Sequence, residues 1–402
     1  MAKLKRTLGL GECIFFGVGS ILGAGIYTLI GKVAGWSGNL TWLAFGIASV
    51  TALFTAFSYA ELSSMLPKAG GEYVYARKAF GKKTGLILGF LISTNGIISG
   101  ATVSVGFAGY LLALIGIDLL MGSLSIIIII FLVNASGIRE SSFLNIIFTV
   151  IEFSGLVFVI YSAIPSIGSV NYFGFSSNGL NGLFAGSALA FFAYLGFEEI
   201  VKLSEETKNP TKNIPKALFL AGAIVFAIYT LVAISVVSVL PSEELGASES
   251  PLADVIFTSY GQTGVIIISI VALFSTSNTI LSNMLGSSRV LLNMSQETKA
   301  LKRFAYISKT RNTPVSALIL VLIVMCGFAL IGNIETIARI ANIFIYATFL
   351  IVNVSVIVLR INHPRIERPN KIPFSVKNIP VISVFGIVLI LVLFFYNISN
   401  LL

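Results

Sequence analysis

Long apolar segments recur along the whole sequence, and they constrain its fold more than any other feature. Each is about 20 residues long, enough for a helix to cross the roughly 30 Å hydrocarbon core of a bilayer. Eleven such segments are predicted, at approximately residues 13–34, 39–64, 84–114, 119–137, 143–166, 182–203, 215–240, 262–292, 314–333, 335–359 and 378–399. Only 11% of the 402 residues are charged, against about 25% in soluble domains. The sequence therefore predicts an all-α membrane protein with 11 transmembrane helices and a single transmembrane domain over residues 1–402.

The distribution of basic residues predicts the orientation of the chain. If the N-terminus is cytoplasmic, 24 of the 26 Lys and Arg residues face inward, whereas the connection at residues 241–254 faces outward with four acids and no base. Cytoplasmic connections of membrane proteins carry this excess of positive charge. The net charge of +9 is therefore explained by topology, and a multi-pass protein of the cell membrane is expected, in contact with lipids and without a nucleic-acid partner.

The sequence lacks the usual residues of a catalytic or metal site. Cys13 and Cys326 both lie in predicted spans, and His363 is the only histidine. No catalytic constellation and no nucleotide-binding loop is visible. We therefore expect that the protein is not an enzyme and has no metal and no cofactor.

Two predicted spans are interrupted in a similar way. The first contains "GVGSILGAGIY" (residues 17–27), and the sixth contains "LAFFAYLGFEEI" (residues 189–200), with its break near Ala193 to Gly196. Spans one and six are five spans apart, and because five is odd, a second copy of the first five would enter the membrane from the opposite face. Matched interrupted helices in inverted halves indicate the midplane binding site of a secondary transporter. The alternative is that the glycines of the first span only permit close helix packing.

Several separated motifs resemble the amino acid-polyamine-organocation transporter superfamily. They are the two interrupted spans, "AGGEYVYARKAFG" (residues 69–81), the connector "EETKNPTKNIPKAL" and the eighth span around "FSTSN" (residues 274–278). The resemblance implies a five-plus-five inverted-repeat fold of the leucine-transporter type. Its repeats would cover residues of about 8–166 and 180–360, with one extra C-terminal helix at about 378–399.

The break in the first span predicts a site for a zwitterion. Unwinding would leave three backbone amides at a half-helix N-terminus, where the helix dipole favours a carboxylate: those of Gly23, Ala24 and Gly25. The carbonyls of the preceding turn suit an ammonium group or a sodium ion: those of Gly19, Ser20 and Ile21. An α-amino acid carries both charges at the spacing that such a site offers.

The sixth span is expected to complete the substrate site. Its break would free the carbonyls of Phe192 and Leu195 as further acceptors for the ammonium, and the resemblance implies that Phe192 covers the substrate as part of a gate. Two adjacent acids follow. Because neighbouring helix positions differ by about 100°, we expect Glu198 to face the bundle as a gating residue and Glu199 to pair with Lys202.

A glutamate in the fifth span is a predicted coupling site. Glu152 lies within "FTVIEFSGLVFVI", and a carboxylate at bilayer depth costs about 3 kcal/mol on insertion scales. By resemblance it occupies a position where sodium-independent members often carry a lysine, between the first and eighth spans. There it could act with Gly19 and with three hydroxyls of the eighth span, those of Ser275, Thr276 and Ser277.

Three interpretations of Glu152 are open at this stage. It could carry a proton that is released and taken up during transport, since burial favours the neutral carboxyl group. It could bind Na⁺, which we favour less than a proton, or it could be a structural hydrogen-bond partner.

The resulting functional hypothesis is a secondary active transporter of amino acids that works by alternating access, as a symporter or an antiporter. Neutral substrates are favoured, because the segments of spans three and ten that would line the site are mostly apolar and without acid. The alternative substrate is a cationic amino acid or a polyamine. An alternative from another class is an amino acid sensor that does not translocate its ligand.

Overall fold

The structure is a computed structural model that describes residues 6–68, 70–136, 142–297, 299–308 and 313–401. These residues are mostly helical. Seven α-helices lie in the described part of the first half, and they are α1 (Leu10–Leu22), α2 (Ala24–Ser37), α3 (Thr41–Met65), α4 (Gly71–Phe80), α5 (Lys82–Ile115), α6 (Leu119–Ala135) and α7 (Ser142–Ala163). Ala69, the first residue of the motif at residues 69–81, lies outside the described residues.

The second half of the chain is also helical. Its α-helices are α8 (Gly179–Ala190), α9 (Glu199–Lys202), α10 (Pro210–Val239), α11 (Ser242–Ala247), α12 (Pro251–Glu297), α13 (Val315–Ala329), α14 (Ile334–Asn362) and α15 (Val381–Ser399). Two short strands, β1 (Ser375–Val376) and β2 (Ile379–Pro380), pair antiparallel between α14 and α15.

The helices have the length and composition of membrane spans. Within the described residues, eight helical stretches are long and apolar enough to cross a bilayer, and the three helices α1, α6 and α13 are apolar but shorter. The prediction of a multi-pass, all-α membrane protein is confirmed at this level.

One boundary differs from the prediction. The eighth span was expected to begin near residue 262, whereas α12 begins at Pro251 and kinks at Gly261, where φ is 55°. Proline fits the first turn of a helix because it lacks the amide hydrogen that would be unbonded there. The connection at residues 241–254 therefore contains α11 and the start of α12.

The helices pack in two groups. The interrupted helices α1, α2 and α8 pack against α3 and α10, whereas α5 packs against α12 and α14, with α6 and α13 beside them. Helix α7 contacts both α1 and α12. The predicted coupling residue Glu152 is therefore placed where the two groups meet.

A buried ion-pair cluster joins α3 to the chain between α14 and α15. The Glu61 carboxylate on α3 accepts hydrogen bonds from Arg360, one of them from Nε at 2.8 Å, and lies 3.3 Å from Arg368 Nε. The Ile372 amide donates to the same carboxylate at 2.9 Å. Glu61 and Arg360 are at most 3% exposed, so the cluster is removed from solvent.

Removing the Glu61 charge should destabilise the fold. Glu61→Gln leaves two buried guanidinium groups without their carboxylate, and breaking a buried ion pair costs about 3 to 5 kcal/mol. We expect a clearly lower apparent melting temperature for the purified variant in detergent. Glu244→Gln, at an exposed position of α11, is the control. Equal melting temperatures for parent and Glu61→Gln would contradict this assignment.

Candidate functional site

The first interruption is confined to one residue. Helix α1 ends at Leu22, α2 begins at Ala24, and Gly23 between them has a non-helical conformation with φ −19° and ψ −162°. The break therefore falls at Gly23, the first of the three residues whose amides were expected to be freed. The Ala24 amide, which we expected to be unpaired, donates to Thr279 Oγ1 of α12 at 3.2 Å.

The second interruption extends over several residues, as predicted. Helix α8 ends at Ala190, a 3₁₀ turn covers residues 191–194, and α9 begins at Glu199. Gly196 has a φ of 115°, in a region that side chains with a Cβ rarely adopt. The Phe192 carbonyl, expected to be free, instead accepts the Leu195 amide at 3.3 Å, because the 3₁₀ turn closes on itself. Phe192 is buried and Leu195 is half-buried.

The two interruptions lie against each other. A Cβ placed on Gly25 would be only 2.6 Å from Ala193 Cα, and one placed on Gly196 would overlap the Ser20 carbonyl group. Glycine is required at both positions because backbone meets backbone there. The structure thus brings Ser20 and Gly25 of the first span against the interruption in the sixth span.

Tyr229 of α10 connects the two interruptions and was missed by the sequence analysis. Its hydroxyl group lies within donating distance of two carbonyl oxygens, that of Ile21 at 2.7 Å and that of Ala193 at 3.0 Å. The side chain is fully buried. The only sequence signal was a tyrosine within an apolar span, whose hydroxyl requires a polar partner in the membrane.

The predicted coupling residue Glu152 is buried between α7 and α12. It is 1% exposed, and its carboxyl group faces Ser275 and Asn278. Among the described residues, neither Glu152 Oε1 nor Ser275 Oγ has a hydrogen-bond partner of good geometry. Gly19 contacts Thr149, one turn before Glu152. The structure therefore places Glu152, Ser275 and Gly19 in the same region.

The other two predicted hydroxyl residues of the eighth span, Thr276 and Ser277, differ from Ser275 in bonding or burial. Thr276 Oγ1 donates to the Ala272 carbonyl of its own helix, at 2.6 Å. Ser277 is half-buried. Asn278, which the sequence analysis did not include, faces Glu152 instead. It lies one helical turn after Ser275, so the helical period could have identified it.

A second group of acids lies near the break in the sixth span and consists of Glu198, Glu199 and Glu72. Glu198 is 9% exposed and accepts the Gly196 amide at 2.9 Å. Glu199 forms the predicted ion pair with Lys202. Glu72 of α4 accepts a hydrogen bond from Tyr59 Oη at 3.1 Å, and its burial raises the pKa of its carboxyl group. The Glu72 carboxyl group can therefore hold a proton at higher pH than an exposed glutamate would.

A cavity of about 210 Å³ lies beside the first interruption. It is lined by Ile21, Tyr194, Phe197 and apolar residues of α3 and α10. Leu53 and Phe226, at its rim, are 40% and 42% exposed. It opens at the apolar outer surface of the bundle and contacts neither Phe192 nor Glu152, so we do not assign the substrate to it.

Comparison with known proteins identifies the family. A family model described as amino acid permease matches residues 8–401. The methylthioribose transporter of Bacillus subtilis (strain 168) is 29% identical over 95% of this chain and 87% of that protein. The branched-chain amino acid permease BcaP of the same organism is 28% identical over 98% of this chain and 88% of that protein. Cationic amino acid transporter 2, vacuolar, of Arabidopsis thaliana is 27% identical over 89% of this chain and 60% of that longer protein.

These relatives are transporters, so the expectation that the protein is not an enzyme is confirmed. The match covers nearly the whole chain and agrees with the resemblance drawn from the motifs. The chain belongs to the amino acid permease family of the amino acid-polyamine-organocation superfamily.

Proposed function

We propose that this protein is a secondary active transporter of neutral amino acids that works by alternating access. The observation that carries the proposal is the contact between the two helix interruptions, Gly25 against Ala193 and Gly196 against Ser20. Backbone groups that lose their helical partners at interrupted helices are the ligands of substrates in such transporters. The family membership supports an amino acid as the substrate.

In this proposal the substrate replaces hydrogen bonds that the protein makes with itself. The substrate carboxylate takes the Ala24 amide from Thr279 Oγ1, together with the neighbouring amides of Gly23 and Gly25. The substrate ammonium takes the Ile21 carbonyl from the Tyr229 hydroxyl. Because both exchanges conserve hydrogen bonds, binding does not leave a buried polar group unpaired, which would cost about 1 to 3 kcal/mol.

The surroundings of the interruptions support a neutral side chain. Glu198 is turned to the Gly196 amide, and Glu152 faces α12, so neither carboxyl group faces the proposed substrate. The alternative is a cationic amino acid or a polyamine. It is favoured by the relatives named as cationic amino acid transporters in Arabidopsis thaliana and Mus musculus, and it would require one of these two carboxylates to turn toward the substrate.

The proposal includes the topology of the fold. Eleven spans are obtained if α1 with α2, and α8 with α9, each count as one interrupted span, and if the shorter helices α6 and α13 cross the membrane. Spans one to five and six to ten then form the inverted repeats, and α15 is the extra helix. The N-terminus is cytoplasmic and the protein resides in the cell membrane. In this topology α1, α2, α3, α8 and α10 rock against the group around α5 and α12.

We propose that Glu152 carries the coupling proton. Its Oε1 atom and the nearby Ser275 hydroxyl make no hydrogen bond of good geometry within the described residues, although the two side chains face each other, which favours an exchangeable ligand over a structural lock. A sodium ion would need several oxygen ligands there. A proton needs only the carboxylate itself.

The central experiment is uptake into liposomes. Purified protein should accumulate radiolabelled neutral amino acids, and uptake should rise with an inward proton gradient and not with a sodium gradient. Internal amino acid should be supplied in a parallel sample to detect exchange. Faster uptake of arginine or a polyamine than of any neutral amino acid would favour the alternative substrate. Binding without uptake would favour a sensor, and neither binding nor uptake of any of the twenty would refute the assignment.

Glu152→Gln should abolish the response of uptake to the proton gradient and leave amino acid binding unchanged. Glutamine keeps the size and polarity of the side chain but cannot release a proton. The matched variant is Glu198→Gln, which retains an acceptor for the Gly196 amide. If Glu198→Gln loses the response to the proton gradient and Glu152→Gln keeps it, then Glu198 carries the proton and our assignment is wrong.

Gly25→Ala should lower the initial rate of uptake by about tenfold, because overpacking a close contact costs about 1 to 3 kcal/mol. The added methyl group would push against the backbone of Ala193. Gly222→Ala is the control, since a Cβ on that glycine of α10 meets no atom within 4 Å. Normal uptake by Gly25→Ala would show that the contact between the interruptions is not needed for transport.

A further inference from the structure

A second cavity lies outside the transport site, between the end of α14 and the chain that leads to α15. Its volume is about 240 Å³. Three of its lining residues are cations, and the lining consists of Arg360, Pro364, Ile366, Arg368, Lys371 and Asn378. In the proposed topology this cavity is at the cytoplasmic surface of the membrane, where lipid headgroups lie.

The charges around this cavity do not balance. Arg360 and Arg368 share one carboxylate, that of Glu61, and Lys371 forms no ion pair within the part of the chain that the structure describes. The exposed Glu367 also forms no ion pair there. Glu61 thus offsets only one of the three positive charges that line the cavity, so the cavity attracts an anion.

The two arginines are held in place by the chain itself. Arg368 donates to four carbonyl oxygens, including those of Leu359 and His363 at 2.9 Å. Arg360 donates to Ser375 Oγ at 2.5 Å and to the Ile372 carbonyl at 3.2 Å. These bonds fix the positions of the positive charges but occupy most of the guanidinium hydrogens. The exposed Lys371 ammonium remains as the free donor for a ligand.

We propose that this cavity binds a phosphate-bearing anion, with the headgroup of an anionic phospholipid as its expected source. Basic pockets at the cytoplasmic ends of membrane helices recognise such headgroups. The phosphate would accept hydrogen bonds from Lys371 and sit in the field of Arg360 and Arg368. Binding would hold the connection between α14 and α15 against α3, through the Glu61 cluster. The assignment to the inner leaflet rests on the topology given under the proposed function.

The test is a binding measurement that does not depend on transport. Purified protein in a neutral detergent is titrated with phosphatidylglycerol, with phosphatidylcholine and with inorganic phosphate, and thermal unfolding is followed. Phosphatidylglycerol should raise the apparent melting temperature more than phosphatidylcholine does. Stabilisation by inorganic phosphate alone, to the same extent, would identify a soluble phosphate compound as the source instead.

Variants of Lys371 show whether the effect arises at this cavity. Lys371→Gln should weaken the apparent affinity for phosphatidylglycerol about fivefold, the value of one basic residue near an anionic surface, and Lys371→Arg should restore it. Lys371→Glu should abolish the effect. The control is Lys212→Gln, an exposed lysine of α10.

Equal stabilisation of the parent and Lys371→Glu, or no stabilisation of the parent by either phosphatidylglycerol or phosphate, would overturn the proposal. Both measurements are made without substrate. A protein that shows the lipid effect but transports no amino acid would therefore refute the proposed function and leave this site intact.

Discussion

The bilayer requires every backbone polar group to be bonded within the protein, since hydrocarbon offers no partner. The first and sixth spans interrupt their helical hydrogen bonding at Gly23 and at residues 191–198, so backbone groups there need other partners. Three side chains supply the missing bonds: the Tyr229 hydroxyl for two carbonyls, and the Thr279 hydroxyl and the Glu198 carboxylate for one amide each. They come from α10, α12 and the sixth span itself. The rest of the structure depends on this arrangement, because it makes an interrupted helix stable without its substrate.

The buried acids of the membrane domain differ in the partners of their carboxyl groups. Glu61 is paired with two guanidinium groups, and Glu198 is bonded to a backbone amide. Glu152 is as deeply buried as Glu61 and has no cation beside it among the described residues. This contrast, more than burial alone, distinguishes Glu152 as a candidate for proton exchange.

Much of the fold could be predicted because hydropathy and helix interruption are local properties. The apolar segments, the break near Ala193 to Gly196 and the Glu199–Lys202 pair are each contained within one helix or one connection. Tyr229 and Thr279 could not be found in that way. Their partners are 36 to 255 residues distant in sequence, and a hydroxyl in an apolar span has many potential partners before the helices are packed.

The sequence by itself determined that this protein is a helical membrane protein with two interrupted spans, because the bilayer selects for length, apolarity and helix formation one segment at a time. Only the tertiary structure decided which of the amides and carbonyls freed by the interruptions are already bonded and which acids are paired. That outcome depends on the packing of α10 and α12 against the interruptions, and hydrogen bonds form only between groups that packing brings within about 3 Å.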